Sequence, residues 1–161
     1  MKQPPWWKGA RGEWYVVAQF ALFGLIALAP LAPGQPAWPE PWSLVARVAG
    51  LLLGLAGFML LMAGVLGLGA NLSILPRPKD DASLVQGGAY GLVRHPIYAG
   101  LIQGAFVWGL LVNSWLALAG ALALLLLLDL KARREEAWLA ARFPGYRDYQ
   151  RRVRKFLPFI Y

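Results

Sequence analysis

Long apolar runs with almost no charge constrain this chain more than any other feature of its sequence. Such runs occupy residues 14–31, 43–70, 96–112 and 115–130, and each contains at most one charged residue. A helix rises about 1.5 Å per residue, so roughly 20 apolar residues cross the hydrocarbon core of a bilayer. With 58% hydrophobic residues and a mean hydropathy of +0.48, the chain is too apolar for a water-soluble domain. The sequence predicts an all-α integral membrane protein of about four transmembrane helices, in a single domain over residues 1–161.

The two C-terminal runs are shorter than a usual span, and only Asn113 and Ser114 separate them. So short a connection predicts an antiparallel helical hairpin, whose helices either extend beyond these bounds or cross a locally thinned bilayer. Residues 131–161 are charged and amphipathic, which predicts a cytoplasmic helical tail. In that tail the last span would continue as helix to Phe143, and a second short helix would cover residues 146–155.

Basic residues cluster at alternate connections of the predicted spans. Of the 16 lysines and arginines, only Arg47 falls outside the N-terminal segment, the central polar segment and the C-terminal tail. This positive-inside pattern predicts that both termini and the tail are cytoplasmic, with anionic lipid headgroups rather than nucleic acid as partners. Tryptophans near the predicted interfaces indicate membrane anchoring, and the N-terminal ones argue against a cleavable signal peptide. These tryptophans are Trp6, Trp7, Trp14, Trp38 and Trp42.

Glycines four residues apart occur in two of the spans. Gly50 and Gly54 form one GxxxG pair, and Gly100 and Gly104 form another. Small residues let helix backbones approach closely in lipid, within one chain or between chains, so the oligomeric state stays open. The polar segment between the second and third spans, including residues 87–91, is predicted to be non-helical, and it holds no dinucleotide-binding GxGxxG.

Two polar clusters occur where predicted helices leave the membrane. The first contains Tyr90, Arg94, His95 and Tyr98, and the second contains Glu135, Glu136, Arg142, Tyr146, Tyr149 and Arg152. Ionisable groups at such positions are candidates for a binding site. They also have a structural interpretation, as a helix cap, a solvated helix face, an interfacial aromatic belt and lipid contacts. The chain has no cysteine and one histidine, so no metal site is expected.

Motifs within these clusters resemble a known family. Residues 84–100 contain Arg94-His95-Pro96 followed by Tyr98 and Gly100, and Glu135-Glu136 and a YxxY pair come later in the chain. This combination resembles the isoprenylcysteine carboxyl methyltransferase family and its phospholipid methyltransferase relatives, over residues 68–161. The resemblance implies a membrane methyltransferase that holds S-adenosylmethionine in a cytoplasmic pocket, while a lipophilic small-molecule acceptor enters from the bilayer.

The resemblance also implies roles for individual residues. Cofactor binding is expected of Tyr90, Val93, Arg94, His95, Pro96, Tyr98, Gly100, Glu135 and Glu136. A part in the catalytic step is expected of Arg94, Glu136, Tyr149 and Arg152. The cofactor's carboxylate needs a cation, which Arg94 and His95 would supply, and one glutamate would meet its ribose or amino group. Arg152 would hold a carboxylate acceptor, whereas an amine acceptor would need a glutamate or tyrosine to take its proton.

The functions that the sequence allows differ in the acceptor and in the cofactor. The leading expectation is O-methylation of an isoprenylcysteine-like carboxylate, and N-methylation of a phospholipid amine or S-methylation of a small thiol are alternatives. Sterol reductases have a similar C-terminal region but use NADPH, and a non-enzymatic lipid-binding module would need no cofactor. Binding of S-adenosylmethionine, of NADPH or of neither distinguishes these three classes.

Overall fold

The computed structural model describes residues 7, 9, 11–77 and 82–161. The predicted anchor Trp6 and the predicted inner-face charges of Lys2, Lys8 and Lys79 lie outside the described residues. The described part contains no β-strand, only an isolated parallel bridge between Val93 and Arg154. Its α-helices are α1 Glu13–Leu28, α2 Trp42–Leu68, α3 Ala89–Leu92, α4 Pro96–Leu111, α5 Trp115–Arg142 and α6 Tyr146–Arg152.

Three of these helices are long and apolar enough to cross a membrane, namely α1 with the 3₁₀ turn Ala29–Leu31, α2 and α5. The fourth apolar helix, α4, has 16 residues, so its length is about 24 Å, less than a typical hydrocarbon core. The prediction of an all-α membrane protein is confirmed. Of the two short predicted spans, α5 extends beyond its predicted bounds and continues unbroken to Arg142. The other, α4, ends at Leu111 and does not extend.

Glycines determine how closely α2 and α4 pack. A Cβ atom at Gly50 or Gly54 would lie within 3.3 Å of α4 side chains. A Cβ atom at Gly100 would lie 2.7 Å from Cβ of Leu61, which leaves no room for a larger residue. Gly104 differs, because no atom lies within 4 Å of its Cβ position. The predicted packing role therefore holds within the chain for the first three glycines and not for Gly104.

The bundle core lies between α1, α4 and α5. Its fully buried side chains on α5 recur at helical spacing, which places one continuous apolar stripe against the other two helices. They are Ala121, Leu124, Leu128 and Ala132. The outer face of α2 is instead exposed and apolar, as expected of a helix that faces lipid. Its exposed side chains include Leu51, Leu52, Leu55, Phe58, Met59 and Leu66.

One end of the bundle, which we call the hairpin end, holds the connection between α4 and α5. Asn113 takes a φ of 51° there, and Ser114 caps α5 by accepting a hydrogen bond from a backbone amide of its first turn. Ser114 Oγ also donates to Oε1 of Gln35 at 2.6 Å, and Trp38 stacks on Trp115 with ring centroids 4.4 Å apart. The predicted antiparallel hairpin is confirmed, and the connection from α1 to α2 closes over it.

The opposite end, which we call the polar end, holds both ends of the described chain. Gly12, just before α1, lies against Pro76 in the connection that follows α2. Residues 153–155, beyond α6, pair with residues 93–95 through backbone hydrogen bonds. The first and last helices therefore begin and end on the same side of the bundle.

Two local predictions are wrong at the polar end. The helix predicted over 146–155 ends at Arg152, because residues 153–155 are extended and their carbonyls accept hydrogen bonds from the segment before α4. Residues 87–91 were predicted to be non-helical, but Ala89–Leu92 form one helical turn. Gly88, with a φ of 59°, reverses the chain before this turn, and Tyr90 fixes it by donating to the carbonyl of Gly64 at 3.3 Å.

Candidate active site

The segment Arg94–Pro96 lies between α3 and α4 and is fixed by its main chain. The amide of Arg94 donates to the carbonyl of Arg154 at 2.7 Å, and the amide of His95 donates to the carbonyl of Lys155 at 3.1 Å. Pro96 then begins α4, where a proline is tolerated because the first-turn amide has no helical partner. This arrangement directs the side chains of Arg94 and His95 toward α5.

Glu136 on α5 is the centre of a buried hydrogen-bond network. Its Oε1 accepts from Nε of Arg94 at 2.8 Å and lies 3.0 Å from Nε2 of His95, and its Oε2 accepts from Nε2 of Gln150 at 3.0 Å. Nη1 of Arg94 also donates to the carbonyls of Gln150 and Val153. The side chains of Arg94 and Glu136 are each only 10% exposed, so either charge would be costly to bury alone. The network thus fastens the start of α4 and the end of α6 to α5.

Glu135 faces a different direction from its neighbour. Consecutive residues of a helix point about 100° apart, so the two carboxylates of the pair serve different surroundings. Tyr98 donates to Oε2 of Glu135 at 2.8 Å, and Nδ1 of His95 lies 4.0 Å from the same oxygen. The rings of His95 and Tyr98 are stacked with centroids 5.3 Å apart. The side chain of Glu135 is 26% exposed and borders a cavity.

Three tyrosines form a second wall of the site. The hydroxyl of Tyr149 donates to the carbonyl of Tyr90 at 2.5 Å, and the rings of Tyr146 and Tyr149 meet edge to face at 5.7 Å. Burial raises the pKa of all three hydroxyls, and it raises the pKa of Tyr149 to about 12. They therefore stay protonated at neutral pH and can donate hydrogen bonds but cannot act as bases.

A cavity of about 340 Å³ opens between α1, α4, α5, the start of α6 and the connection after α2. Its volume lies within the range of roughly 300–1,000 Å³ that small-molecule sites occupy. Most of the predicted site residues border it, namely Tyr90, Arg94, His95, Tyr98, Glu135 and Tyr149. Its membrane-side wall is apolar and includes Phe20, Phe23 and Leu101. The cavity thus joins a charged wall to an apolar one.

The other predicted site residues do not border this cavity. Val93 and Pro96 are fully buried, and Glu136 is bonded to Arg94 and His95 without lining the cavity itself. Gly100 lies at the contact between α4 and α2, where a Cβ atom would clash. Arg152 lies on the surface, where it donates to the carbonyl of Asp148 and to Gln86, each at 3.4 Å.

Two residues that line the cavity are absent from the predicted site. Lys131 is 2% exposed, and its Nζ donates to Oε1 of Gln19 on α1 at 2.8 Å. Gln19 is itself 6% exposed within a helix whose only charged residue is Glu13, at its start. The available signals were a lysine one helical turn before Glu135 and a glutamine inside a predicted span. Their contact joins residues 112 positions apart, which periodicity within either helix cannot reveal.

A second depression, which we call the apolar groove, adjoins the cavity. It has a volume of about 440 Å³ between α1, α2 and α4. It shares Phe23 and Leu101 with the cavity and continues past Gly100 and Gly104 to Trp108. Gly104 therefore leaves space that a larger side chain would fill.

Comparison with known proteins agrees with this geometry. The described residues form a helical membrane protein with a polar cavity at one end, and residues 45–145 match the family described as phospholipid methyltransferase. The chain belongs to the phospholipid methyltransferase family. The match includes α2 from residue 45 onward, which the motif resemblance over 68–161 left out, and it ends just before α6.

Two curated relatives are similar to nearly the whole chain. The cobalt-zinc-cadmium resistance protein CzcN of Cupriavidus metallidurans is 34% identical over 149 residues, which cover 91% of this chain and 62% of that protein. The nickel-cobalt-cadmium resistance protein NccN of Alcaligenes xylosoxydans xylosoxydans is 30% identical over 148 residues, with coverages of 91% and 63%. The chain thus spans about three fifths of the length of these relatives.

Proposed function

We propose that this protein transfers a methyl group from S-adenosylmethionine to a lipophilic acceptor in the cavity at the polar end. The observation that carries the proposal is the composition of that cavity. One wall holds Arg94, Glu135 and Tyr98, and the facing wall is apolar and adjoins the groove between the membrane helices. Membership of the phospholipid methyltransferase family, whose members generally use S-adenosylmethionine, supports the same reaction.

The residues bordering the cavity fit the chemical groups of S-adenosylmethionine. Arg94 would bind its carboxylate, because Nε and Nη1 donate to other described residues while Nη2 does not. Glu135 would bind its amino group or a ribose hydroxyl, since its carboxylate faces the cavity. Tyr90 and Tyr146 would border the adenine. When bound, the cofactor supplies a methyl carbon activated by a positively charged sulfur.

The proposal changes the roles of two predicted residues. Glu136 acts as a positioning residue, because it holds Arg94 and His95 and does not itself border the cavity. Arg152 receives no catalytic role, since its side chain is engaged at the surface. Methyl transfer to a good nucleophile depends mainly on alignment of the nucleophile with the methyl carbon. The main contribution expected of the network is therefore rigid support of Arg94 and His95.

The proposed site faces the cytoplasm, with both termini on that side. Support comes from the basic residues that belong to the polar end, among them Arg11, Arg77, Arg94 and the arginines of α6. The α1–α2 connection at the opposite end carries one acid and no base. This asymmetry is the positive-inside pattern, and anionic lipid headgroups are the proposed surface partners.

The acceptor within this proposal is lipophilic, with an isoprenylcysteine-like carboxylate as the leading candidate and phospholipid amines and thiols as alternatives. The names of the two relatives associate those proteins with resistance to metal ions. Thiolate and imidazole ligands suit zinc, and imidazole suits nickel. This chain has no cysteine, and its one histidine is hydrogen-bonded to Glu136, so the proposal does not include metal binding.

Calorimetry on purified protein in detergent tests the proposal. We expect S-adenosylmethionine to bind, and we expect Arg94→Ala and Glu135→Gln each to weaken binding by roughly tenfold or more, because each removes a charged hydrogen bond. Arg134→Gln is the matched control, since Arg134 lies on the exposed face of α5 over Trp138. Unchanged affinity in both cavity variants would refute the site. Binding of NADPH instead would favour a reductase, and binding of neither would favour a lipid-binding module.

A further inference from the structure

Lys131 is a buried cation that the network around Glu136 does not include. It lies on α5 one turn before Glu135, and its side chain is almost fully buried. Its Nζ donates to Gln19 and lies 4.9 Å from the centre of the Tyr98 ring. Among the described residues, no carboxylate forms a salt bridge with it. Glu135, one turn further along α5, attracts this ammonium only at longer range. A buried ammonium whose direct hydrogen-bond partner is neutral is costly, which calls for a functional explanation.

Long-range attraction to Glu135 does not by itself account for this lysine. The carboxylate of Glu135 already accepts a hydrogen bond from Tyr98 and lies 4.0 Å from His95. An ammonium group has three N–H donors, and Gln19 accepts from one of them. Lys131 borders the same cavity as Glu135, so its other donors are available to a bound molecule.

The position of Lys131 relates it to the acceptor rather than to the cofactor. Gln19 belongs to α1, and the next residues of α1 that border the cavity are Phe20 and Phe23. Phe23 also borders the apolar groove. A lipophilic molecule with its chain in that groove would therefore bring its head group to the wall of the cavity where α1 meets Lys131.

We propose that Lys131, oriented by Gln19, binds the anionic head group of the methyl acceptor and selects a carboxylate or thiolate over an amine. The apolar part of the acceptor lies in the groove between α1, α2 and α4. This inference rests on the proposed function and specifies its substrate class.

The chemistry of the transfer agrees with an anionic acceptor. A lone pair of the carboxylate or thiolate forms the new bond to the methyl carbon, the carbon–sulfur bond breaks, and its electron pair stays on sulfur. No proton has to leave. An ammonium acceptor has no lone pair and would have to lose a proton beside Lys131, whose charge repels it. The buried tyrosines of the site remain protonated at neutral pH and cannot take that proton, and Glu135, the carboxylate at the cavity, is the proposed partner of the cofactor.

Binding of three eight-carbon probes tests this selection without any methyl transfer. Octanoate, octylamine and 1-octanol are titrated by calorimetry into the protein in lipid nanodiscs, with empty nanodiscs as the blank. The wild-type protein is expected to bind octanoate roughly tenfold or more tightly than octylamine. Lys131→Gln is expected to lose this preference while retaining octanol binding, and Lys131→Arg and the control Arg134→Gln are expected to keep it.

Equal affinity of the wild-type protein for octanoate and octylamine would overturn the inference, and so would a preference that survives in Lys131→Gln. The wild-type comparison decides the matter even where the variant does not fold. Titration of S-adenosylmethionine alone is a separate measurement, and absence of its binding would refute the proposed function whatever the octanoate result.

Transfer of label from radioactive S-adenosylmethionine distinguishes the two anionic sources. Octanoate, octane-1-thiol and octylamine are offered separately, and the product is extracted and identified. Label in the methyl ester supports a carboxylate acceptor, and label in the methyl thioether supports a thiolate. Label in the methylamine alone would contradict the role assigned to Lys131.

Discussion

The two ends of this helical bundle are held together by different kinds of contact. The hairpin end carries one exposed ion pair, between Arg47 and Glu40, but its inner contacts are neutral, with a Gln35–Ser114 hydrogen bond and stacking of Trp38 on Trp115. The polar end relies on buried charges gathered around Glu136. Burying a charge pair often stabilises a protein no more than an apolar contact of similar size would. A chain that needed only to close its bundle could use neutral contacts at both ends, so the buried charges make the polar end the candidate site.

Glu136→Ala should produce the largest effect. It removes the common partner of Arg94, His95 and Gln150 and leaves the Arg94 charge buried without its carboxylate. The free energy of unfolding should fall by about 3–5 kcal/mol, which is the usual cost of breaking a buried ion pair. Unfolding in mixed detergent micelles measures this loss, and the affinity for S-adenosylmethionine should fall with it.

The matched change at the hairpin end is Ser114→Ala. It removes the cap of α5 and the hydrogen bond to Gln35, so a loss of about 1 kcal/mol is expected. The affinity for S-adenosylmethionine should stay the same. If both substitutions cost the same and both weaken the cofactor equally, the contrast between the two ends is wrong.

Gly100→Ala should produce the next largest effect. The added methyl would meet Cβ of Leu61 at 2.7 Å and the carbonyl oxygen of Gly57 at 2.8 Å, so α2 and α4 would have to separate. Overpacking of this kind costs about 1–3 kcal/mol. Gly104→Ala is the control, because nothing lies within 4 Å of that position. Comparison of thermal unfolding in detergent should show a loss for Gly100→Ala alone, and equal stability of the two variants would contradict the packing described here.

Much of the fold could be predicted from the sequence because the determining signals are local. Each span is a continuous apolar run, and the observed helices begin within one residue of the predicted bounds. The end of α6 and the turn α3 could not be predicted in the same way. Both depend on contacts across the chain, namely the pairing of residues 93–95 with 153–155 and the bond from Tyr90 to Gly64.

The residues of the site could be predicted only in part, because some of their contacts also join distant parts of the chain. The motif brought together Arg94, His95 and the glutamate pair, but it could not separate the two carboxylates. The two carboxylates differ because consecutive residues of α5 point in different directions. Glu136 therefore contacts Arg94, whereas Glu135 borders the cavity. Lys131 was missed because its partner Gln19 lies in α1, far away in the sequence.

Tyr149→Phe should have a moderate effect at the polar end. It removes a 2.5 Å hydrogen bond to the carbonyl of Tyr90, worth about 1 kcal/mol. Burial raises the pKa of Tyr149 from 10.0 to about 12, so its stabilising contribution is complete below pH 10 and is lost as the pH rises toward 12. The wild-type protein should therefore lose more unfolding free energy over that interval than the variant does. Parallel curves for the two proteins would show that Tyr149 is not held in its neutral form.

Trp38→Phe should produce the smallest effect, at the hairpin end. The indole Nε1 of Trp38 is buried and has no hydrogen-bond partner among the described residues. Phenylalanine removes this unsatisfied donor and keeps an aromatic ring against Trp115, so the lost packing and the removed penalty should nearly cancel. A change below about 0.5 kcal/mol is expected from thermal unfolding in detergent. A loss above about 1 kcal/mol would mean that Nε1 does make a polar contact, and the hairpin end would then resemble the polar end more closely than these contacts indicate.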